Sequence, residues 1–338
     1  YSIGFINFAG KKKEYHMDKI RTGLAAYGMS GRVFHAPFIS TNPHFELTAV
    51  TERSKELSRE KYPDACIVRS FGELIGLEGL DLVVINTPDS THYEYARRAL
   101  EAGKHVVVEK PFTTTVAEAE ELVALAASRG LTLSVYQNRR WDGDFLTVKE
   151  ILSKGLLGHL VEFESTFPRY RNFIKPNTWK ETGQDGGGLT YNLGAHVIDQ
   201  AVQLFGMPEE MYAVGQSFRE EMGKYDHILT MFHYPSGATG VFSHSAFLAC
   251  SKNYFYIRFT EGSLYVYGDK LVLEHKNDGT EELNTAEGDT YRAMWMELAR
   301  IVSGHGKLPF TAQDAKNCVR VLDAVEQSIE SDQCAPVK

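Results

Sequence analysis

From Ile20 onward, short apolar runs alternate with amphipathic stretches, a pattern that predicts strands alternating with helices. Runs at Ile20 to Ala26, Leu47 to Thr51, Cys66 to Arg69, Leu80 to Asn86, Val106 to Glu109 and Leu131 to Val135 read as six strands. Thr91-His92-Tyr93-Glu94 and Thr115-Val116-Ala117-Glu118 each carry the spacing of a capping box, and Gly103 and Gly130 stand where their helices should stop. Right-handed crossovers between such strands build an α/β, doubly wound parallel sheet.

The texture changes after a helix predicted over Asp142 to Ser153. Period-two stretches take over at Val161 to Phe167, Met211 to Phe218, Ile228 to Tyr234, Thr239 to Leu248, Tyr254 to Thr260 and Leu264 to Tyr267. Turns such as Glu261-Gly262 separate them, as in a mainly antiparallel sheet. Helices are expected over Gly188 to Phe205, Tyr291 to Val302 and Ala312 to Ile329. The organisation that follows is a Rossmann domain over residues 17–136 and an α+β domain over residues 137–338. The terminal helices should pack back on the first domain. Met17 reads as a natural start, with residues 1–16 an extension outside the fold.

Composition narrows the function. A formal charge of −8 disfavours nucleic acid, and no run approaches membrane-spanning length. Cys66, Cys250, Cys318 and Cys334 are scattered without a CxxC pair, which fits a reducing, cytoplasmic setting and gives no zinc site. The histidines form no HxxxH or HxH cluster, so no metal is expected.

Chemistry concentrates at strand ends. Ala26-Tyr27-Gly28-Met29-Ser30-Gly31 follows the first strand and opens a helix, the dinucleotide fingerprint with alanine at its first glycine. Gly28 lets the backbone approach a pyrophosphate at the helix start, and Gly31 permits close packing of helix on strand. Glu52 stands about where the ribose-binding acid is required. Its carboxylate tips the reading toward NAD, while Arg53 and Ser54 suit the 2′-phosphate of NADP, so both remain open. At the end of the fifth strand, His105-Val106-Val107-Val108-Glu109-Lys110-Pro111 places an acid and an amine where open α/β sheets bind ligands.

With those segments in place, the chain resembles the glucose-fructose oxidoreductase/inositol dehydrogenase (Gfo/Idh/MocA) family from Lys19 to about Ile329. The resemblance rests on Asn86-Thr87-Pro88 followed by His92, on Ala102 to Pro111, and on Gly186-Gly187-Gly188 leading to Asn192-Leu193-Gly194-Ala195-His196. Tyr27 to Pro37 and Ser134 to Asp142 are similar to the bacterial scyllo-inositol dehydrogenase branch. The resemblance implies NAD or NADP as cofactor and a sugar, polyol or inositol as substrate. Glu109 would contact the nicotinamide ribose, Lys110 the substrate hydroxyl, and His196 would transfer the proton. Asn86, Thr87, Pro88, His92 and Gln137 would line the cofactor, and Trp179 would close the substrate pocket. It also implies a homodimer or homotetramer, for which the alternating Tyr254, Tyr256, Tyr265 and Tyr267 supply one sheet face.

One position departs from the family: Asn192 replaces the usual aspartate. An amide orients a partner but supplies no negative charge to stabilise an ammonium or imidazolium. Lower basicity at Lys110 and His196 is therefore expected, with Asp185 or a substrate carboxylate as compensating groups. Asn192 and His196 lie four apart and should share a helix face. Arg140, Trp141 and Tyr170, with Arg139, Arg169 and Arg171 beside them, are substrate-side candidates, since guanidinium forks suit carboxylates and phosphates. Subunit packing explains such snorkelling side chains equally well. Two alternatives to a dehydrogenase stay open: a keto-sugar or aldehyde reductase, and a cofactor-binding regulator without turnover.

Overall fold

The computed structural model describes residues 19–174, 188–219, 225–249, 254–267, 270–277, 279–285, 290–303 and 312–337. The expected extension over residues 1–16, Met17, Trp179, Asp185, Gly186, Gly187 and Cys250 lie outside them.

Six parallel strands form the first sheet: β1 (Ile20–Leu24), β2 (Phe45–Thr51), β3 (Cys66–Val68), β4 (Leu82–Ile85), β5 (His105–Val108) and β6 (Leu133–Val135). Their order is β3-β2-β1-β4-β5-β6. The order reverses between β1 and β4, so the crossovers leave a crevice at the carboxyl ends of these strands. Val106, Val107 and Val108 are fully buried, as three consecutive β-branched residues in a sheet covered on both faces should be.

Helices α1 (Ala36–Thr41), α2 (Phe71–Ile75), α3 (His92–Glu101) and α4 (Val116–Arg129) flank this sheet. Thr115 and Glu118 form the predicted reciprocal cap, and Gly103 and Gly130 are left-handed as expected. The cap expected at Thr91 does not form. Asp89–Thr91 already make a tight helical turn, so Thr91 is helical itself and its hydroxyl donates to Pro88 O at 2.6 Å. The short α2 was not legible from periodicity; Ser70 caps it by accepting from the Glu73 amide.

The second sheet has nine strands in the order β14-β13-β12-β11-β7-β10-β9-β8-β15. They are β7 (Leu160–Pro168), β8 (Glu210–Gln216), β9 (His227–His233), β10 (Thr239–Ser245), β11 (Tyr254–Phe259), β12 (Gly262–Tyr267), β13 (Lys270–His275), β14 (Gly279–Leu283) and β15 (Ala335–Pro336). Only β7 and β10 pair in parallel; the other neighbours are antiparallel. The last three strands in sequence were not expected from the pattern, because each is short and none alternates cleanly.

One face of this sheet carries Phe163, Phe242, Ile257 and Leu264. It packs against α5 (Gly143–Ser153), α6 (Ala195–Phe205) and α8 (Ala312–Ser331) through Val148, Ile198 and Leu322. The two remaining clusters tie the C-terminal helices to the first sheet. Trp295 of α7 (Thr290–Val302) is fully buried among Leu24, Val107 and Tyr136, and Ala315 and Val319 of α8 join Val106, Val108 and Leu122. The two sheets thus share helices, and the carboxyl end of β5 faces the start of α6.

Candidate active site

The turn after β1 meets the requirements of a dinucleotide cradle. A Cβ on Gly28 would have no heavy atom within 4 Å, so the space above it is open. A Cβ on Gly31 would stand 2.5 Å from Ala26 O and 2.9 Å from Asn86 Nδ2, so only glycine fits there. Ser30 Oγ is buried with no hydrogen-bond partner among the described residues. An orphaned hydroxyl beside an open glycine turn fits a phosphate oxygen. Met29 is exposed at the rim. Beyond Gly31 the chain makes one wide helical turn, Gly31–His35, before α1. The Phe34 carbonyl of that turn accepts from Tyr136 Oη at 2.9 Å and from Trp295 Nε1 at 3.4 Å, so α7 braces the cradle from behind.

Glu52 corrects the sequence reading. Its carboxylate accepts from Ser58 Oγ at 2.6 Å, Ser58 N at 2.8 Å and Leu57 N at 2.9 Å. Burial works to raise this carboxyl, but the Ser58 and Leu57 donors and Arg69 outweigh it and hold it below its ordinary value. The acid thus caps the turn that follows β2 instead of being turned toward a ribose. Arg53 and Ser54 beside it are exposed.

At the end of β4, Asn86 and His92 brace backbone. Asn86 Oδ1 accepts from Ala26 N at 3.0 Å and its Nδ2 donates to Ala26 O at 2.8 Å, stapling β4 to the glycine turn. His92 is fully buried, with Nδ1 2.8 Å from Pro111 O and Nε2 3.1 Å from Thr87 O. Both ring nitrogens face backbone carbonyls, to one of which the neutral ring donates, which corrects the expectation that His92 touches cofactor: it ties the β4 end to the β5 end. Thr87 and Pro88 stay at the crevice, half-buried and exposed respectively.

The β5 end holds the reactive candidates. Glu109 Oε1 lies 2.8 Å from Nε2 of His35, a fully buried histidine packed edge-on against Tyr136 and Trp295. Burial works to raise the Glu109 carboxyl, but the His35 hydrogen bond and charge, then Lys110 and His92, bring it below its ordinary value. Glu109 is thus held as an anion at the crevice floor. His35 lies within the Tyr27–Pro37 stretch, but the sequence alone assigns it no role. A buried histidine in the first turn after a glycine loop leaves no periodic signal.

Lys110 Nζ donates to Asn192 O at 2.7 Å and to Asn192 Oδ1 at 3.3 Å, joining residues 82 positions apart. Asn192 lies in a second wide turn, Thr190–Gly194, whose continuation into α6 carries the half-buried His196. Gly188 precedes it with φ +97° and accepts from the Asn192 amide at 3.1 Å, a conformation that a side chain would strain. Gln137 is buried at the end of β6, beside the end of β5.

Asn192 also forms part of the wall of a cleft of about 310 Å³ that Arg169, Tyr170, Arg171 and Arg219 line. Tyr170 is exposed there, its ring 5.5 Å from Phe247. Two expected substrate contacts are elsewhere. Arg140 is buried and donates through Nε to Asp199 Oδ2 at 2.6 Å, with a second bond from Nη2 to Oδ1. Its fork is consumed between the short turn before α5 and helix α6. Trp141 packs against the apolar cluster around Trp295. Arg219 and Asp226, which the sequence did not single out, form a second buried pair at 3.2 Å in the cleft wall.

A parallel sheet with a glycine cradle at its switch point, joined to a mixed sheet by a lysine reaching into the second half, defines a two-domain dinucleotide-binding oxidoreductase. Residues 20–137 match the oxidoreductase family, NAD-binding Rossmann fold, and residues 145–265 match the GFO/IDH/MocA C-terminal domain. The chain belongs to the GFO/IDH/MocA family and is an NAD(P)-dependent oxidoreductase. It is similar to the uncharacterized oxidoreductase YdgJ of Escherichia coli, 36% identical over 93% of this chain and 96% of that protein. It is also similar to the scyllo-inositol 2-dehydrogenase (NADP(+)) IolW of Bacillus subtilis, 30% identical over 94% of this chain and 95% of that protein. A crystal structure from Bacteroides fragilis superposes with a TM-score of 0.82 at 45% identity, covering 94% of this chain and 100% of that one. Among the described residues no helix is long and apolar enough to cross a membrane, and no cluster of metal-ligating side chains occurs.

Proposed function

We propose that this chain moves hydride between NAD(P) and a secondary alcohol of a cyclic polyol, inositol or sugar-like substrate. The observation that carries this reading is the Lys110 ammonium, bonded at 2.7 Å to Asn192 in the wall of a cleft that adjoins the β5 end. The nicotinamide supplies the hydride acceptor when bound. Lys110 polarises the substrate hydroxyl and stabilises the alkoxide that develops as its proton leaves. His196, one helical turn beyond Asn192, accepts that proton. Glu109, fixed by His35, accepts from the nicotinamide ribose. The name of the similar IolW protein supports a polyol or inositol as substrate. Screening inositols, hexoses and their keto forms with both nicotinamides, by absorbance of the reduced ring, tests the reading in both directions. Cofactor binding with no turnover across the panel would favour a regulator of the same fold.

The adenosine end takes a 2′-phosphate, so NADP is the working cofactor. Glu52, the group that would repel that phosphate, is folded onto Ser58 and Leu57, and Arg53 is exposed next to it. Arg53→Ala should raise KM for NADP about tenfold or more and leave KM for NAD nearly unchanged. Equal changes for the two cofactors would return the preference to NAD.

Asn192→Asp should move the pH–rate profile. A carboxylate 3.3 Å from the Lys110 ammonium would stabilise its charged form, so the basic limb, on which that ammonium is lost, shifts to higher pH. A profile unchanged in kcat and kcat/KM would uncouple this position from proton transfer. The chain works as a homodimer or homotetramer through the open face of the second sheet, where Val214, Leu229 and Met231 are exposed on neighbouring strands. Sedimentation at micromolar concentration measures that state.

A further inference from the structure

We propose that the substrate of this oxidoreductase carries a carboxylate, which Arg169 and Arg171 hold so that the ring it belongs to lies against Asn192 and Lys110. This inference deepens the dehydrogenase reading and rests on it only for the reaction that follows binding.

After β7 the chain keeps its extended course. Arg169 N donates to Ser245 O and Arg171 N to Ala246 O, so this segment continues alongside the end of β10. Arg169 and Arg171 are two apart in an extended segment, and both line the cleft that Asn192 also lines. The third guanidinium of this wall, Arg219, is committed to Asp226 at 3.2 Å and to Phe173 O at 3.1 Å. Arg169 is different: among the described residues its guanidinium has neither a hydrogen bond nor a carboxylate partner. It lies 5.4 Å from the centre of the Phe167 ring, and Arg139, itself bridged to Asp142 at 3.3 Å, lies 5.3 Å from the same ring.

A partly buried guanidinium such as Arg169, with other cations near it and no carboxylate on it among the described residues, is costly without an anion. Partial burial of Arg169, then the charges on Arg139 and Arg171, lower its affinity for its own proton. The chain as a whole carries −8, so the positive wall is a local feature of this cleft and not a general surface property. A carboxylate matches the planar fork of a guanidinium through two parallel hydrogen bonds. The cleft volume of about 310 Å³ is at the small end for ligand sites and suits a single sugar-sized ring. The charge pattern at the reacting end is complementary. Asn192 offers the Lys110 ammonium two neutral acceptors, so a substrate carboxylate would add negative charge on the cleft side of that pair.

The test is a binding titration on the full chain saturated with NADP+. Paired ligands differ only in one group: hexuronates, hexonates and inositol-ring carboxylic acids against the corresponding uncharged sugars and polyols, with sugar phosphates as a third arm. At least one acid should bind about tenfold or more tightly than its uncharged counterpart. That advantage should shrink as salt is raised. Arg169→Gln and, separately, Arg171→Gln should abolish it, so that acid and uncharged counterpart bind alike; Arg169→Lys should retain part of it. If no acid outbinds its uncharged counterpart, the proposal is overturned. A phosphate ester that outbinds every carboxylate overturns the choice of carboxylate. A preference for acids that survives both substitutions overturns the assignment to these arginines. Because binding needs no hydride transfer, acid preference without turnover would uphold this inference and defeat the dehydrogenase reading instead.

Discussion

Lys110→Met should lower kcat by about a hundredfold to a thousandfold, the range typical of removing one donor that stabilises a developing oxyanion. The methionine keeps the length of the side chain but removes the ammonium that bonds Asn192 O at 2.7 Å. Cofactor binding, followed by fluorescence of the reduced nicotinamide, should survive, because the glycine cradle and its Asn86 staple are built from other residues. Lys110→Arg should not rescue turnover. A guanidinium retains charge, but its planar fork does not replace the compact ammonium against the substrate oxygen. A Lys110→Met enzyme with kcat near that of the parent would show that the developing alkoxide is stabilised by another group.

Arg140→Ala should cost about 3–5 kcal/mol of stability, measured by denaturant unfolding, because it leaves Asp199 buried without its counter-charge. Both side chains are almost fully enclosed, and the carboxylate takes two hydrogen bonds from the guanidinium. Burial already pushes the Asp199 carboxyl up, an effect that Arg140 offsets only in part. Replacing the pair together, Arg140→Met with Asp199→Leu, should recover most of the loss, since a well-packed apolar pair often matches a buried ion pair. If Arg140→Ala unfolds like the parent while changing KM for substrate, the guanidinium belongs to the substrate site after all.

These two residues show how differently the parts of the site were legible. Lys110 stands out in the sequence alone, because an amine at the end of a three-valine strand is a local statement about a parallel sheet's carboxyl edge. Arg140 looked equally chemical, yet its partner is 59 positions away on α6, and only the docking of the two halves brings them together. His35 and Glu109 are 74 apart and meet within the first half, where the strand order β1-β4-β5 carries the end of β5 to the turn after β1. Glu52 failed in another way. Its position at the end of β2 was read correctly, but the direction of its carboxylate depends on the turn at Leu57 and Ser58, which presents three donors to it. The arginine cleft was visible as a cluster of cations. Its connection to Asn192 required the pairing of the segment after β7 with the end of β10.

Periodicity, glycine placement and capping residues act over two to four positions, and they specified the parallel sheet, the cradle at Gly28–Gly31 and the lysine after β5 without help from the rest of the molecule. Which charge each ionisable side chain finally faces is another matter. That outcome belongs to the packing of α6, α7 and α8 across both sheets, because burial makes an unpaired charge expensive and only the assembled core chooses its partner.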